Sequence, residues 1–120
     1  PATETGLDYY PLGSPGERFP IADPALQPRL LPQPQSDADH LKAMLEGIAA
    51  VEALGYRRLA ELGAPPLTSV RSVGGGAANA AWTAIRQRKL GVEFRPALSD
   101  EAAAGTARLA LKGASEAGLL

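Results

Sequence analysis

The 120-residue sequence contains no cysteine and a single histidine. Disulfides and thiol catalysis are thereby excluded, and the Cys/His sets that hold structural zinc cannot be assembled. An excess of one charge is lacking too: 12 Lys and Arg stand against 13 Asp and Glu, a net charge of −1. That balance leaves no basic footprint for nucleic acid or for an anionic membrane surface. No apolar run approaches the ~20 residues that span a bilayer, and no signal-peptide pattern opens the chain. The chain starts at Pro1 rather than Met, so it is read as a fragment or processed piece. A cysteine-free chain without targeting signals is expected in the cytoplasm.

Proline is distributed unevenly. Eight of the 11 prolines fall within residues 1–35, where so many locked φ angles and missing donors forbid a helix or an inner strand. The segment "YYPLGSPGERFPIADPALQPRLLPQPQ" is therefore expected to be an extended arm. It is no ordinary linker, because Tyr9, Tyr10, Leu12, Phe19, Ile21, Leu26, Leu30 and Leu31 seek burial. We expect it to lie along a globular surface.

Residues 36–120 read as the second part of the chain, and their composition is that of a folded domain. Ser36 is placed as an N-cap, with Asp37 and Asp39 at the positive helix end. Leu41, Met44, Leu45, Ile48, Val51, Gly55, Leu59 and Leu62 recur at helical spacing, and the helix should stop near Gly63, before Pro65 and Pro66. Gly47 and Gly55 weaken it by ~1 kcal/mol each relative to Ala, so close packing on a sheet is expected there. Residues 67–73 read as a short strand and 77–90 as a second helix, with Arg86, Arg88 and Lys89 in its last turn and Gly91 as its stop. "GVEFRP" reads as a second strand with Val92 and Phe94 on one face. Ser99 should cap a third helix, with Asp100 and Glu101 in its first turn. That helix is rich in small residues and is expected to approach a neighbour closely, with the tail "ASEAGLL" frayed. Helix, strand, helix, strand, helix argues for α/β layers and a parallel sheet. Two strands make no stable open sheet, so further strands are expected from the arm or from sequence outside this chain.

The chemistry concentrates at "SVGGGAANAAWTAIRQRKLG". Gly74, Gly75 and Gly76 lack Cβ atoms and open positive φ and close backbone approach. The helix that follows offers unpaired N–H groups and a partial positive charge, a usual seat for a phosphate or nucleotide. No Gly-Lys-Ser/Thr follows, so this is not a P-loop. A dinucleotide fingerprint fails as well: Asn79 stands at the third glycine position, and Glu93, the nearest acid, falls inside a strand. A plain structural turn competes with the ligand site. Asn79 and Trp82, three apart, share a helix face beside the glycines. The indole there offers a purine a stacking platform, by analogy worth ~1–3 kcal/mol, and Asn79 offers a donor and an acceptor. The competing reading makes Trp82 a core residue and Asn79 a cap.

In this order, "LEGIAAVEALGYRRLAELGA", "SVGGGAANAAWTAIRQRKLGV" and "EAAAGTARLAL" resemble the C-terminal part of the FGGY carbohydrate kinases. The "PLGSPGERFP" arm looks like a segment of the ribulose- and xylulose-kinase-like members. Met44 departs from the family pattern, where a small residue is usual. The resemblance implies part of an actin-like (ribonuclease-H-like) ATPase domain, with Mg-ATP and a sugar held in an interdomain cleft and the γ-phosphoryl group passed to a sugar hydroxyl. It implies that Gly74, Gly75, Gly76 and Ala77 line the nucleotide and that Asn79 contacts it; Trp82 as the adenine platform rests on spacing.

Phosphoryl transfer needs positioned metal, phosphate donors and a base. Neither Asp-x-Gly phosphate loop of that fold is visible, and Asp8, Asp23, Asp37, Asp39 and Asp100 read as loop or helix-start residues. The chain is thus expected to supply the adenosine side of a pentulose-like kinase, with Mg ligands and catalytic base in the remainder of the enzyme, and to be inert alone. The alternative is a non-catalytic fragment that docks on a partner chain. Three other features read as structural: His40 as a solvated side chain, Glu17 and Arg18 as a local pair fixing the arm, and Arg86, Arg88 and Lys89 as a solvated face. Glu46 and Glu52 lie on different helix faces and make no catalytic pair.

Overall fold

A computed structural model describes residues 3–99 and 101–120. Its longest element is α1, Asp37–Glu61. Ser36 starts it as expected, accepting from the Asp39 N–H, with Asp37 and Asp39 in the first turn. Gly63, at φ +100°, ends it, and the Ala64 N–H returns to the Leu59 carbonyl.

The face that α1 buries matches the expected periodicity only in part: of that set Gly55 is buried and Met44, Leu45 and Val51 are half-buried. Leu41, Ile48, Leu59 and Leu62 are exposed. Ala43, Glu46, Gly47, Ala49, Ala53 and Gly55 are the buried residues instead. Two stripes share this helix, and the small-residue stripe admits the Pro-rich arm at close range. A Cβ on Gly47 would stand 2.7 Å from the Tyr9 carbonyl oxygen, and one on Gly55 would stand 3.3 Å from the Phe19 ring. The glycines therefore accommodate the arm and not a sheet.

The arm is extended and irregular, as its prolines require. It folds back on itself through two isolated antiparallel bridges, Tyr10 with Arg29 and Glu17 with Asp23. Tyr9 and Tyr10 reach the core, whereas Phe19 and Leu31 stay exposed. The Tyr9 hydroxyl donates to the Pro32 carbonyl, and its ring meets His40 edge-on at 5.9 Å. His40 is thus half-buried against the arm rather than solvated. Glu17 fixes the arm through Tyr10, whose hydroxyl donates to it at 3.2 Å, and not through an ion pair with Arg18. Desolvation, reinforced by the Glu17 charge, holds the Tyr10 hydroxyl above its ordinary pKa. Near the start of the arm, Thr5 donates its N–H and hydroxyl to the buried Glu46 carboxylate. Glu4 pairs with Lys89 at 3.1 Å.

The rest is a parallel βαβ unit. Strand β1, Ser69–Val70, pairs with β2, Glu93–Phe94, in the register Ser69–Glu93 and Val70–Phe94. Both strands are shorter than expected. Between them a 3₁₀ turn, Gly75–Ala78, precedes α2, Ala80–Leu90. The expected helix over 77–90 is therefore broken at Asn79. Gly91 terminates α2 in the left-handed region at φ 65°. Helices α1 and α2 pack together, with Ile85 buried.

The last helix, α3 (Ala102–Glu116), departs most from expectation. Ser99 does not cap it: its hydroxyl accepts from the Glu101 N–H, and Glu101 itself occupies the cap position without a side-chain bond. Asp100 lies outside the described residues. The helix runs on through Ser115 and Glu116, which were expected to fray. Among the described residues none of α3 is buried, and it packs against no other element. The radius of gyration is accordingly 17.8 Å, against about 14 Å for a compact chain of this length.

Candidate functional site

The site is built at the carboxyl ends of the two parallel strands, the edge at which open α/β sheets receive ligands. After β1 the chain passes Arg71, Ser72 and Val73 and turns at Gly74, with φ 86° and ψ 177°. Only glycine occupies that region without strain. Gly75 and Gly76 enter the 3₁₀ turn, whose first N–H groups have no partner within the turn. A Cβ at Gly75 would meet nothing within 4 Å, so the bare backbone there faces open space.

That space is a cleft of about 770 Å³. One wall is Ser72, Gly74, Gly75, Ala77 and Ala78; Thr83 of α2 adds to it. The facing wall is Phe94, Arg95, Pro96 and Ala97, with Glu101 at the start of α3. Arg71 ties the walls together by donating to the Pro96 carbonyl, and the Arg95 N–H extends the ladder to the Val70 carbonyl at 2.8 Å. Arg95 pairs with Glu93 at 2.9 Å; its hydrogen bond and charge hold the Glu93 carboxyl below the usual carboxylate range.

Three of the expected site residues, Gly74, Gly75 and Ala77, line this cleft; Gly76 and Asn79, both exposed, and the half-buried Trp82 are not among its lining residues. Asn79 is the N-cap of α2, its Oδ1 accepting from the Trp82 N–H at 2.9 Å. The Trp82 indole backs the loop, so that a Cβ on Gly76 would touch it at 3.6 Å. The guanidinium carbon of Arg86 lies 5.6 Å from the indole centroid. The indole thus lies against the glycine corner at Gly76. The reason is the helix start: the break at Asn79 sets Trp82 in the first turn of α2, where it folds back over the loop.

Arg86 overturns the expectation of a solvated cationic face. It forms a two-pronged pair with Glu52 of α1, at 2.8 and 2.7 Å, and donates to the Ser72 hydroxyl at 2.5 Å. Its side chain is 14% exposed, and its pKa is raised, first by the hydrogen bond to Glu52. Lys89, half-buried, pairs with Glu4; Arg88 alone of the three is an exposed residue. Sequence reasoning missed Ser72, Thr83, Phe94 to Ala97 and Glu101 as cleft residues. The one available signal was topological: in a βαβ unit the residues after the second strand face those after the first.

A family model describing the FGGY family of carbohydrate kinases, C-terminal domain, matches residues 2–114. This chain belongs to the FGGY family. FGGY kinases are phosphotransferases that generally use ATP with Mg, and their C-terminal domain is part of an actin-like ATPase fold. The α/β expectation agrees with this family and with the parallel pair observed. The cleft's volume lies within the ~300–1,000 Å³ of small-molecule sites, and its glycine wall carries no side chain that would fill it. The FGGY domain offers Mg less. Among the described residues no cluster of three His, Asp or Glu side chains could hold a metal ion, and none of the described helices is long and apolar enough to cross a membrane.

Proposed function

We propose that this domain forms the adenosine side of the nucleotide cleft in an ATP-dependent sugar kinase, with a pentulose-like sugar as phosphoryl acceptor. One observation carries the reading: a side-chain-free corner that only glycine adopts without strain opens onto a cleft at the carboxyl ends of two parallel strands. Gly74, Gly75 and Ala77 contact the nucleoside. Gly76, Asn79 and Trp82 serve the same site without lining it, Asn79 by capping α2 and Trp82 by supporting the loop. Mg, the phosphate loops and the catalytic base belong to the remainder of the kinase, so this domain alone is inactive. The likeness of the arm to ribulose- and xylulose-kinase-like members supports the pentulose class, and the absence of cysteine supports a cytoplasmic location.

Calorimetric titration of the complete protein with ADP tests the reading. Gly75→Val adds a side chain on the cleft wall, where a Cβ meets nothing within 4 Å, and should weaken ADP at least tenfold. Unchanged affinity would sink the proposal. Trp82→Ala should weaken it by a smaller factor, through the loop. A loss as large as that of Gly75→Val would restore direct stacking.

The exposed Leu109 and Leu111 of α3, with Leu59 and Leu62 of α1, favour a second reading, in which the chain is a non-catalytic fragment docked on a partner. Size exclusion and circular dichroism of the 120 residues discriminate. A well-folded monomer counts against it; capture only by a partner without kinase activity supports it.

A further inference from the structure

Both walls of the cleft converge on one side chain that is not itself a wall. The Arg86 guanidinium is locked in plane by Glu52. From there it donates to Ser72, on the segment leading into the glycine corner. Its carbon lies 5.0 Å from the centroid of Phe94, at the end of β2. The opposite approach is to Trp82, which supports Gly76. Ser72 and Phe94 both line the cleft.

We propose that Arg86 is a positioning residue for nucleotide binding, setting the distance between the glycine corner and the end of β2, with Glu52 as the group that orients it. The inference rests on the adenosine reading of the cleft. The chemistry requires arginine. A planar five-donor fork can bond Glu52 and Ser72 while its faces stack on aromatic rings; a lysine ammonium keeps the charge but has no plane and no fork. Glu52 cannot be replaced freely either, since a mostly buried guanidinium without its carboxylate is left with an uncompensated charge.

Arg86→Lys and Glu52→Gln in the complete protein separate positioning from folding. ADP affinity, KM for ATP, KM for the sugar and thermal midpoint are measured for each, beside Gly75→Val. Arg86→Lys should weaken ADP and raise KM for ATP about tenfold, leaving KM for the sugar unchanged. Glu52→Gln should move the same two quantities by a smaller factor. Ser72→Ala combined with Arg86→Lys should cost little more than Arg86→Lys alone, because the two groups act through one contact. Lower thermal midpoints with ADP affinity unchanged in the folded protein would make Arg86 a stabilising residue only and overturn the inference. If Gly75→Val weakens ADP and Arg86→Lys does not, the inference fails and the adenosine reading stands. If neither variant weakens ADP, both fail. Should Arg86→Lys not fold, Glu52→Gln alone decides by the same criterion.

Discussion

Helices α1 and α3 are both rich in small residues, and they use them in opposite ways. In α1, Gly47 is met by the arm so closely that a Cβ would stand 2.7 Å from the Tyr9 carbonyl. In α3, a Cβ on Gly105 or Gly113 would meet nothing within 4 Å. Composition alone makes the two helices look alike. What separates them is whether the chain supplies an occupant for the groove that small residues create. The Pro-rich arm is that occupant for α1, since its extended backbone presents Tyr9 and Pro11 at the helix surface. No described segment plays that part for α3.

In α1 a single methyl group should abolish the close seating of the arm. Gly47→Ala sets a methyl group against the Tyr9 backbone, which cannot move without dragging the buried Tyr9 ring. Overpacking costs ~1–3 kcal/mol, more than the ~1 kcal/mol of helix propensity that Ala restores. Chemical denaturation should show net destabilisation, together with release of the arm read by Tyr fluorescence. Unchanged stability would mean that the arm is not seated on Gly47.

Gly105→Ala is the matching change in α3 and should have the opposite sign. With open space around the Cβ, only propensity acts, worth ~1 kcal/mol of helix stability. Circular dichroism of the 120-residue chain should register more helix. The same change in the complete protein sharpens the contrast: if another element seats on α3 there, the methyl group destabilises instead of stabilising. Gly55→Ala falls between the two cases. Its Cβ would stand 3.3 Å from Phe19, an exposed ring free to move aside, so a change within about 0.5 kcal/mol is expected.

The order of elements was legible because each boundary carries its own chemistry. Ser36 caps, Gly63 and Gly91 stop helices in the left-handed region, and Gly74 turns where a side chain would be strained. These are local effects, and local sequence encodes them. The inward stripe of α1 was not legible, since Leu41, Ile48 and Leu59 recur at helical spacing just as the buried Glu46, Ala49 and Ala53 do, and only the arm's docking decides between them. Arg86 was misread for a similar reason: a cation in a last helical turn satisfies the helix dipole, and nothing local reveals Glu52, 34 positions away. At the glycine corner only Gly74, Gly75 and Ala77 of the lining residues were legible. Phe94 to Ala97 enter only through the parallel pairing of two strands, which is a tertiary fact.

The smallest expected effect concerns how the arm is held. Tyr10 is neutral when buried, and its hydroxyl is held above its ordinary pKa by desolvation first and by Glu17 second. The unfolded chain therefore loses that proton at lower pH than the folded one. Stability from this group is full below about pH 10, the ordinary tyrosine value, and declines as pH rises from there through the raised folded value. Alkaline titration by phenolate absorbance should show one tyrosine ionising late, and Tyr10→Phe should remove it while flattening the decline in thermal midpoint above pH 10. In α3, which has no tyrosine and no seated arm, helicity over the same pH range should be unaffected by Tyr10→Phe. An unchanged decline in thermal midpoint above pH 10 in Tyr10→Phe would overturn the claim that Glu17 fixes the arm through Tyr10.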